Sequence, residues 1–289
     1  MPIDFFEAND ELHIRQSFDS PTIYLDHWAI RLFSDNLQLQ NRFVDALKIK
    51  GGTLLLSPFS FTEFSGAEDR RHCHDTEQFL DRVIPNIFFT DFAIDKTFNR
   101  EAKETNNVKR FWPSADLFSL KKLADTRYNN SGVLSITGWL SMIHDNRTKL
   151  IKQEKKRVSQ MQEAFNNLRH DTEFVKKAKN AQPSNQRTRT FNILGELMRG
   201  FNLDPSSIIK DNDIIDLLHT ISPLNSCDFI LLDGPWEERV KKMNLRISKT
   251  SMVMHLAKCF SRRNDGVNVF LSELESFDKN CNKETIAFP

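Results

Sequence analysis

The sequence predicts an α/β fold, a central parallel sheet flanked by helices with a large helical insertion. Three observations predict it. Short apolar runs rich in strand formers recur at residues 21–25, 53–56, 87–90 and 229–232. Segments with helical spacing of apolar residues separate these runs. A span from about residue 96 to 204 keeps that spacing without strand alternation. Short strands alternating with helices imply a parallel sheet covered on both faces.

The elements follow in order. Residues 21–25 read as a strand, and Asp26 follows at once. Residues 27–32 and 43–47 have helical spacing, and Gly51-Gly52 stops that region. Residues 53–56 form a second buried strand ended by Ser57-Pro58, where a helix carrying Glu63 begins. A third strand is expected near residues 87–90. From 96 to 200 the pattern is helical, interrupted at Pro113, Gly132 and the polar run 181–186, with a long helix or helical pair over 137–179. Asp204-Pro205 resembles a helix start, and Asn212 or Asp213 offers a second. Residues 214–221 are helical and Pro223 ends them. Residues 229–232 are a strand closed by Asp233-Gly234-Pro235, then a charged helix covers 236–243. Residues 267–271 read as a last strand. The division is therefore 1–95 with 205–289 as one discontinuous domain, and 96–204 as a helical insertion or subdomain.

The chain has 289 residues, 39% hydrophobic and 27% charged, with net charge +1. It is long enough to bury a sizeable core and too apolar for a disordered chain. The 24 Phe against 2 Tyr read as core filling. Charge is uneven: between Asp145 and Thr190 stand twelve Lys and Arg against five Asp and Glu. That segment reads as a solvated helix face or as a surface that meets phosphate. The four cysteines lack CxxC spacing, which fits reduced thiols in a cytoplasmic protein. No signal peptide and no membrane span are expected.

The chemistry concentrates in acids. Asp26 and Asp233 each follow a buried strand, and ligands of parallel sheets bind beyond the carboxyl ends of strands. Glu63 lies on the helix after the second strand, and Asp216 on the helix before the last-domain strand at 229–232. All four can approach one end of one sheet. Clustered carboxylates repel unless a cation neutralises them, and hard oxygen ligands favour Mg²⁺ or Mn²⁺ over zinc. For each acid singly, a helix cap is the plainer reading.

Three neighbours are accessory candidates. Asp213, one turn before Asp216, reads as a ligand, a cap or the third acid in its place. Asp228 opens the strand toward Asp233 from the opposite end and reads as structural, bonding His219 or a turn. His219 reads as orienting Asp216 from behind, or as a satisfied core histidine. The run Arg70-Arg71-His72-Cys73-His74-Asp75 is too tightly spaced for a standard zinc site, with no second ligand pair. No P-loop, GxGxxG or GxSxG motif is present.

Three pieces resemble the PIN domain superfamily of metal-dependent nucleases. They are Thr22-Ile23-Tyr24-Leu25-Asp26, Ser57-Pro58-Phe59-Ser60-Phe61-Thr62-Glu63, and residues 216–233 from Asp216 through a helix, a turn and a strand to Asp233. The resemblance covers roughly residues 20–95 and 205–270. Many members carry Thr or Ser two positions before the last Asp, where this chain has Leu231. The resemblance implies hydrolysis of phosphodiester bonds, with Asp26, Glu63, Asp216 and Asp233 holding Mg²⁺ or Mn²⁺ and the basic segment as rim. It implies an endoribonuclease, a toxin or defence effector among its kinds. A structure-specific DNA nuclease and a catalytically inactive nucleic-acid-binding or interaction protein on the same fold are the other readings. A homo-oligomer and a protein regulator stay open as partners.

Overall fold

The computed structural model describes residues 3–8, 11–66, 69–91, 94–103, 111–129, 132–204, 206 and 208–278. The chain opens with a hairpin of β1 (Ile3–Ala8) and β2 (Glu11–Gln16), paired antiparallel. Then come β3 (Thr22–Leu25), α1 (His27–Asp35), α2 (Leu37–Lys50), β4 (Thr53–Leu56), α3 (Pro58–Ser65), α4 (Arg70–Val83) and β5 (Ile87–Asp91). The middle holds α5 (Ile94–Glu101), β6 (Ser114–Ala115), α6 (Leu117–Asn129), α7 (Trp139–Asp145), α8 (Arg147–His170), α9 (Thr172–Asn180) and α10 (Arg189–Leu203). The chain returns through α11 (Asp211–Ser226), β7 (Phe229–Leu231), α12 (Gly234–Ile247), β8 (Lys258–Phe260) and α13 (Gly266–Ser276).

The main sheet has the order β6-β5-β4-β3-β7-β8. The five strands from β5 to β8 are parallel, and β6 alone is antiparallel at the edge. In register, Tyr24 stands between Leu55 and Ile230, and Leu25 stands beside Leu231. Successive strand side chains alternate faces, and both faces are buried. Ile23, Leu25, Leu54, Leu56, Phe89 and Leu231 join a core under α1, α2, α4 and α13. Tyr24, Leu55, Phe88 and Ile230 join a second core under α8, α10, α11 and α12. The phenylalanines fill these layers: Phe33 stacks on Phe43 and on Phe79, which tilt against each other, and Phe229, Phe260 and Phe270 meet edge to face or tilted. Side chains of 96–204 enter both cores, Leu120 and Leu140 on one face, Ile193 and Phe201 on the other.

Several local expectations change. Residues 267–271 lie in α13, not in a strand. Strand β8 already occupies the edge beside β7, and the helical spacing of Phe270, Leu271 and Leu274 buries all three. Pro223 sits inside α11, which runs on to Ser226. A proline there removes one helix bond. Burial of Leu224 and Asn225 holds the last turn. Asp204 follows α10 and binds Ser206 in a turn (Oδ1 accepts from the Ser206 amide at 3.1 Å), so the next helix starts at Asp211. Pro205 and Ser207 lie outside the described residues, as does Cys281. Residues 137–179 break into α7, α8 and α9. Among the described residues Cys73, Cys227 and Cys259 form no disulfide. Among the described residues no helix is long and apolar enough to cross a membrane.

Candidate active site

The chain lays down β3 first, adds β4 and β5 on one side, then returns to add β7 and β8 on the other. The boundary between β3 and β7 is therefore the topological switch point, where crossovers diverge to opposite faces and open a crevice at the carboxyl ends. Asp26 and Asp233 follow those two strands, at the same end of the sheet. The Asp26 amide continues the ladder by donating to the Leu231 carbonyl at 3.0 Å.

Each of these acids is also a helix cap, so cap and cluster member are not alternatives. Asp26 caps α1, with Oδ1 accepting from the His27 amide at 2.8 Å. Asp233 caps α12, with Oδ1 accepting from the Trp236 amide at 3.0 Å. One oxygen satisfies the helix end and the other is left for the cluster. Ser57 repeats the device ahead of α3, accepting from the Ser60 amide at 3.1 Å. That helix carries Glu63, and its Oε2 lies 3.1 Å from His219 Nδ1 on α11. Asp216, one turn before His219, has Oδ2 fixed by the Trp236 indole N–H at 2.9 Å. Trp236 thus ties Asp216 and Asp233 together.

The four acids feel one another. Burial first, then the Glu63 charge, pushes Asp26 up to about 7; the His27 amide and His219 oppose this. Burial, then the charges of Asp26, Asp233 and Glu63, push Asp216 up to about 7 as well. Burial disfavours a charged His219, but the Glu63 charge and bond, with Asp26 and Asp216, hold its pKa above the ordinary value. His219 is the partner of Glu63 rather than of Asp216. The four carboxylates share one electrostatic site, yet no three of them bring oxygens within 4.8 Å of one another.

The accessory candidates separate. Asp213 accepts from the Lys210 amide at 2.8 Å and closes the capping box of α11. Asp228 sits at the opposite sheet end, where Oδ2 takes the Thr22 amide at 2.7 Å and the Thr22 hydroxyl at 2.9 Å. It clamps β3 to β7. Leu231 is fully buried, its side chain in the core under α1 and α2. His72 and Asp75, a turn apart on α4, meet Asp35 from α1 with ligand atoms within 4.8 Å. The Arg31 guanidinium contacts His72 Nε2 and lies 3.5 Å from Asp35, so a cation already stands there. Spacing alone could not reveal that group, because Asp35 comes from another helix.

Two arginines beside the site carried no sequence signal. Arg239 on α12 lies 3.9 Å over the Phe201 ring and 5.3 Å from Trp236, within reach of the charges of Asp213, Asp233 and Asp216. Arg263 lies so close over Gly234 that a Cβ there would stand 2.4 Å from its Nε. Of the basic segment, α8 packs along α11 and α3 with Lys149, Lys152, Lys155 and Lys156 exposed. No family model, no curated protein and no solved structure matches this chain.

Proposed function

We propose that this chain is a divalent-metal-dependent nuclease of the PIN kind, centred on Asp26, Glu63, Asp216 and Asp233 and cutting single-stranded or loop RNA. The observation that carries the reading is the convergence of four coupled acids on the β3/β7 switch point. The donor set fits a hard cation, being all carboxylate oxygen with the nearby imidazole already engaged by Glu63. The wider spacing of the acids suits Mg²⁺, which keeps several waters and needs few direct carboxylates.

When bound, Mg²⁺ or Mn²⁺ supplies Lewis acidity for the phosphate and lowers the pKa of water. The chain's own residues do the positioning. His219 holds the Glu63 carboxylate, and Trp236 holds Asp216 against the Asp233 side of the crevice. The acids orient the attacking water, and one of them accepts its proton. Arg239 and Arg263 offset the acidic field that would otherwise repel a phosphate.

The test is cleavage of a panel of RNA and DNA oligonucleotides, single-stranded and duplex, with Mg²⁺, with Mn²⁺ and with chelator. The expected result is metal-dependent RNA cleavage, lost by at least about 10³-fold in Asp26→Asn, the rate equivalent of roughly 4 kcal/mol. Cleavage of DNA junctions alone would favour the structure-specific DNA nuclease. No cleavage of any substrate with either metal would leave the inactive binding protein.

A further inference from the structure

Helices α10 and α12 flank a groove of about 400 Å³. Its charged lining is Arg199, Arg239, Lys242 and Arg246 against the single acid Glu196. Two of the four cations are engaged: Arg246 pairs with Glu196 at 2.6 Å, and Arg199 donates to the Ala178 and Lys179 carbonyls at the end of α9. The other two differ. Lys242 is 73% exposed, and its nearest acid, Glu238, lies 3.9 Å away. Arg239 makes no ion pair among the described residues, and its guanidinium carbon lies 3.9 Å from the Phe201 ring centroid. The rim adds an apolar side chain, Leu245, 62% exposed.

Position gives the groove its meaning. Arg239 lines it and also touches Trp236, whose indole holds Asp216. The groove therefore leads away from the acid cluster, with a cation at the junction and a second cation one turn on. From residue 239 to 246 a helix advances ~10 Å, room for about two phosphates. Packed helices stand ~8–10 Å apart, too close for a duplex to enter between them. Helix α8, by contrast, presents its lysines to open solvent, with no groove beside them among the described pockets.

We propose that the groove between α10 and α12 binds the sugar–phosphate backbone of single-stranded nucleic acid and leads it past Arg239 to the acid cluster. This rests on the nuclease reading above for what happens at the cluster. The backbone phosphates lie on Arg239 and Lys242, and Leu245 lies under the sugars or bases.

The experiment uses the full chain carrying Asp26→Asn, so that substrate survives. Binding of a fluorescein-labelled oligo-uridine of ~12 nucleotides is followed by anisotropy across about 50 to 200 mM salt. Lys242→Glu and Leu245→Glu stand at exposed positions, and thermal melting checks that both fold. Each is expected to weaken binding about tenfold or more. Lys242→Glu also flattens the salt dependence by about 0.7 in the log–log slope for each lost phosphate. Lys152→Glu on α8 leaves both unchanged. The proposal is overturned if the two groove variants bind like their parent, if Lys152→Glu takes the loss instead, or if a duplex of the same length binds as well. The two readings fail separately. Wild-type cleavage with unchanged binding in both groove variants sinks the groove alone. Binding that depends on Lys242, with no cleavage under any metal, sinks the nuclease reading alone.

Discussion

Helix α11 carries two buried polar clusters that handle charge in opposite ways. Near its C-terminal end, Asn225 joins Glu101 of α5 and Arg189 and Thr190 of α10. There Arg189 Nε stands 3.6 Å from Glu101 Oε1, both side chains 1% exposed, and the Thr190 amide donates to Glu101 Oε2 at 2.9 Å. One anion meets one cation and several donors. Nearer its N-terminal end, Asp216 and His219 face Asp26, Glu63 and Asp233, four acids against one imidazole. A buried anion set against a buried cation is balanced in charge and serves the fold. A surplus of acids in a crevice is left for a charge that arrives from outside. The same helix shows that burial of charge alone does not mark a site; imbalance does.

The largest expected effect tests the matched end. Glu101→Ala leaves the buried Arg189 guanidinium without its carboxylate and should cost about 3–5 kcal/mol of stability. Asp26→Asn at the unmatched end should cost nothing or stabilise the metal-free protein, since it keeps the cap and removes one repelling charge. Denaturant melts of the two variants measure the contrast, and equal losses would break it.

The second test is pH. Asp26 and Asp216 titrate near 7 in the folded chain, raised from 3.8. Between about 4 and 7 the folded metal-free protein holds protons that the unfolded chain has released, so these groups lower stability as pH rises through that window. Metal replaces those protons, so the rise in Tm on adding Mn²⁺ should grow as pH increases to about 8. Melting at pH 5 and 8, with and without Mn²⁺, reads both trends. Asp26→Asn should shed part of the metal-free fall and most of the metal-induced rise.

A smaller effect separates positioning from packing at His219. His219→Ala should slow cleavage about 10- to 100-fold by freeing Glu63. His219→Asn restores a donor near Nδ1 and should recover part of that rate. If alanine and asparagine were equally slow at equal stability, His219 would be no more than core filling. The smallest effect concerns Gly234. A Cβ there must displace Arg263, so Gly234→Ala should raise KM for RNA less than tenfold and leave kcat unchanged. An unchanged KM would remove Arg263 from the rim.

What the sequence determined by itself was local. Four apolar runs became β3, β4, β5 and β7 because a strand buried on both faces must be apolar throughout. Asp26, Ser57 and Asp233 became caps because each follows such a run and opens a helix, which also set Asp26 and Asp233 at strand ends. Tertiary structure decided whatever rests on partners far along the chain. The hairpin β1–β2 had its alternation in Ile3 and Phe5 but needed Gln16 to bond Phe89 across 73 residues. The three residues of β8 were too short to announce themselves, and only the open edge of β7 made them a strand. Pro223 stayed helical because the core held the turn beyond it. The pairing of His219 with Glu63, and the placing of Arg239 and Arg263, joined residues that no spacing connects. Local pattern fixes what an element is, since propensity and capping act within a few residues. Which charges meet is set by packing, because a side chain's partners across a sheet depend on every crossover between them.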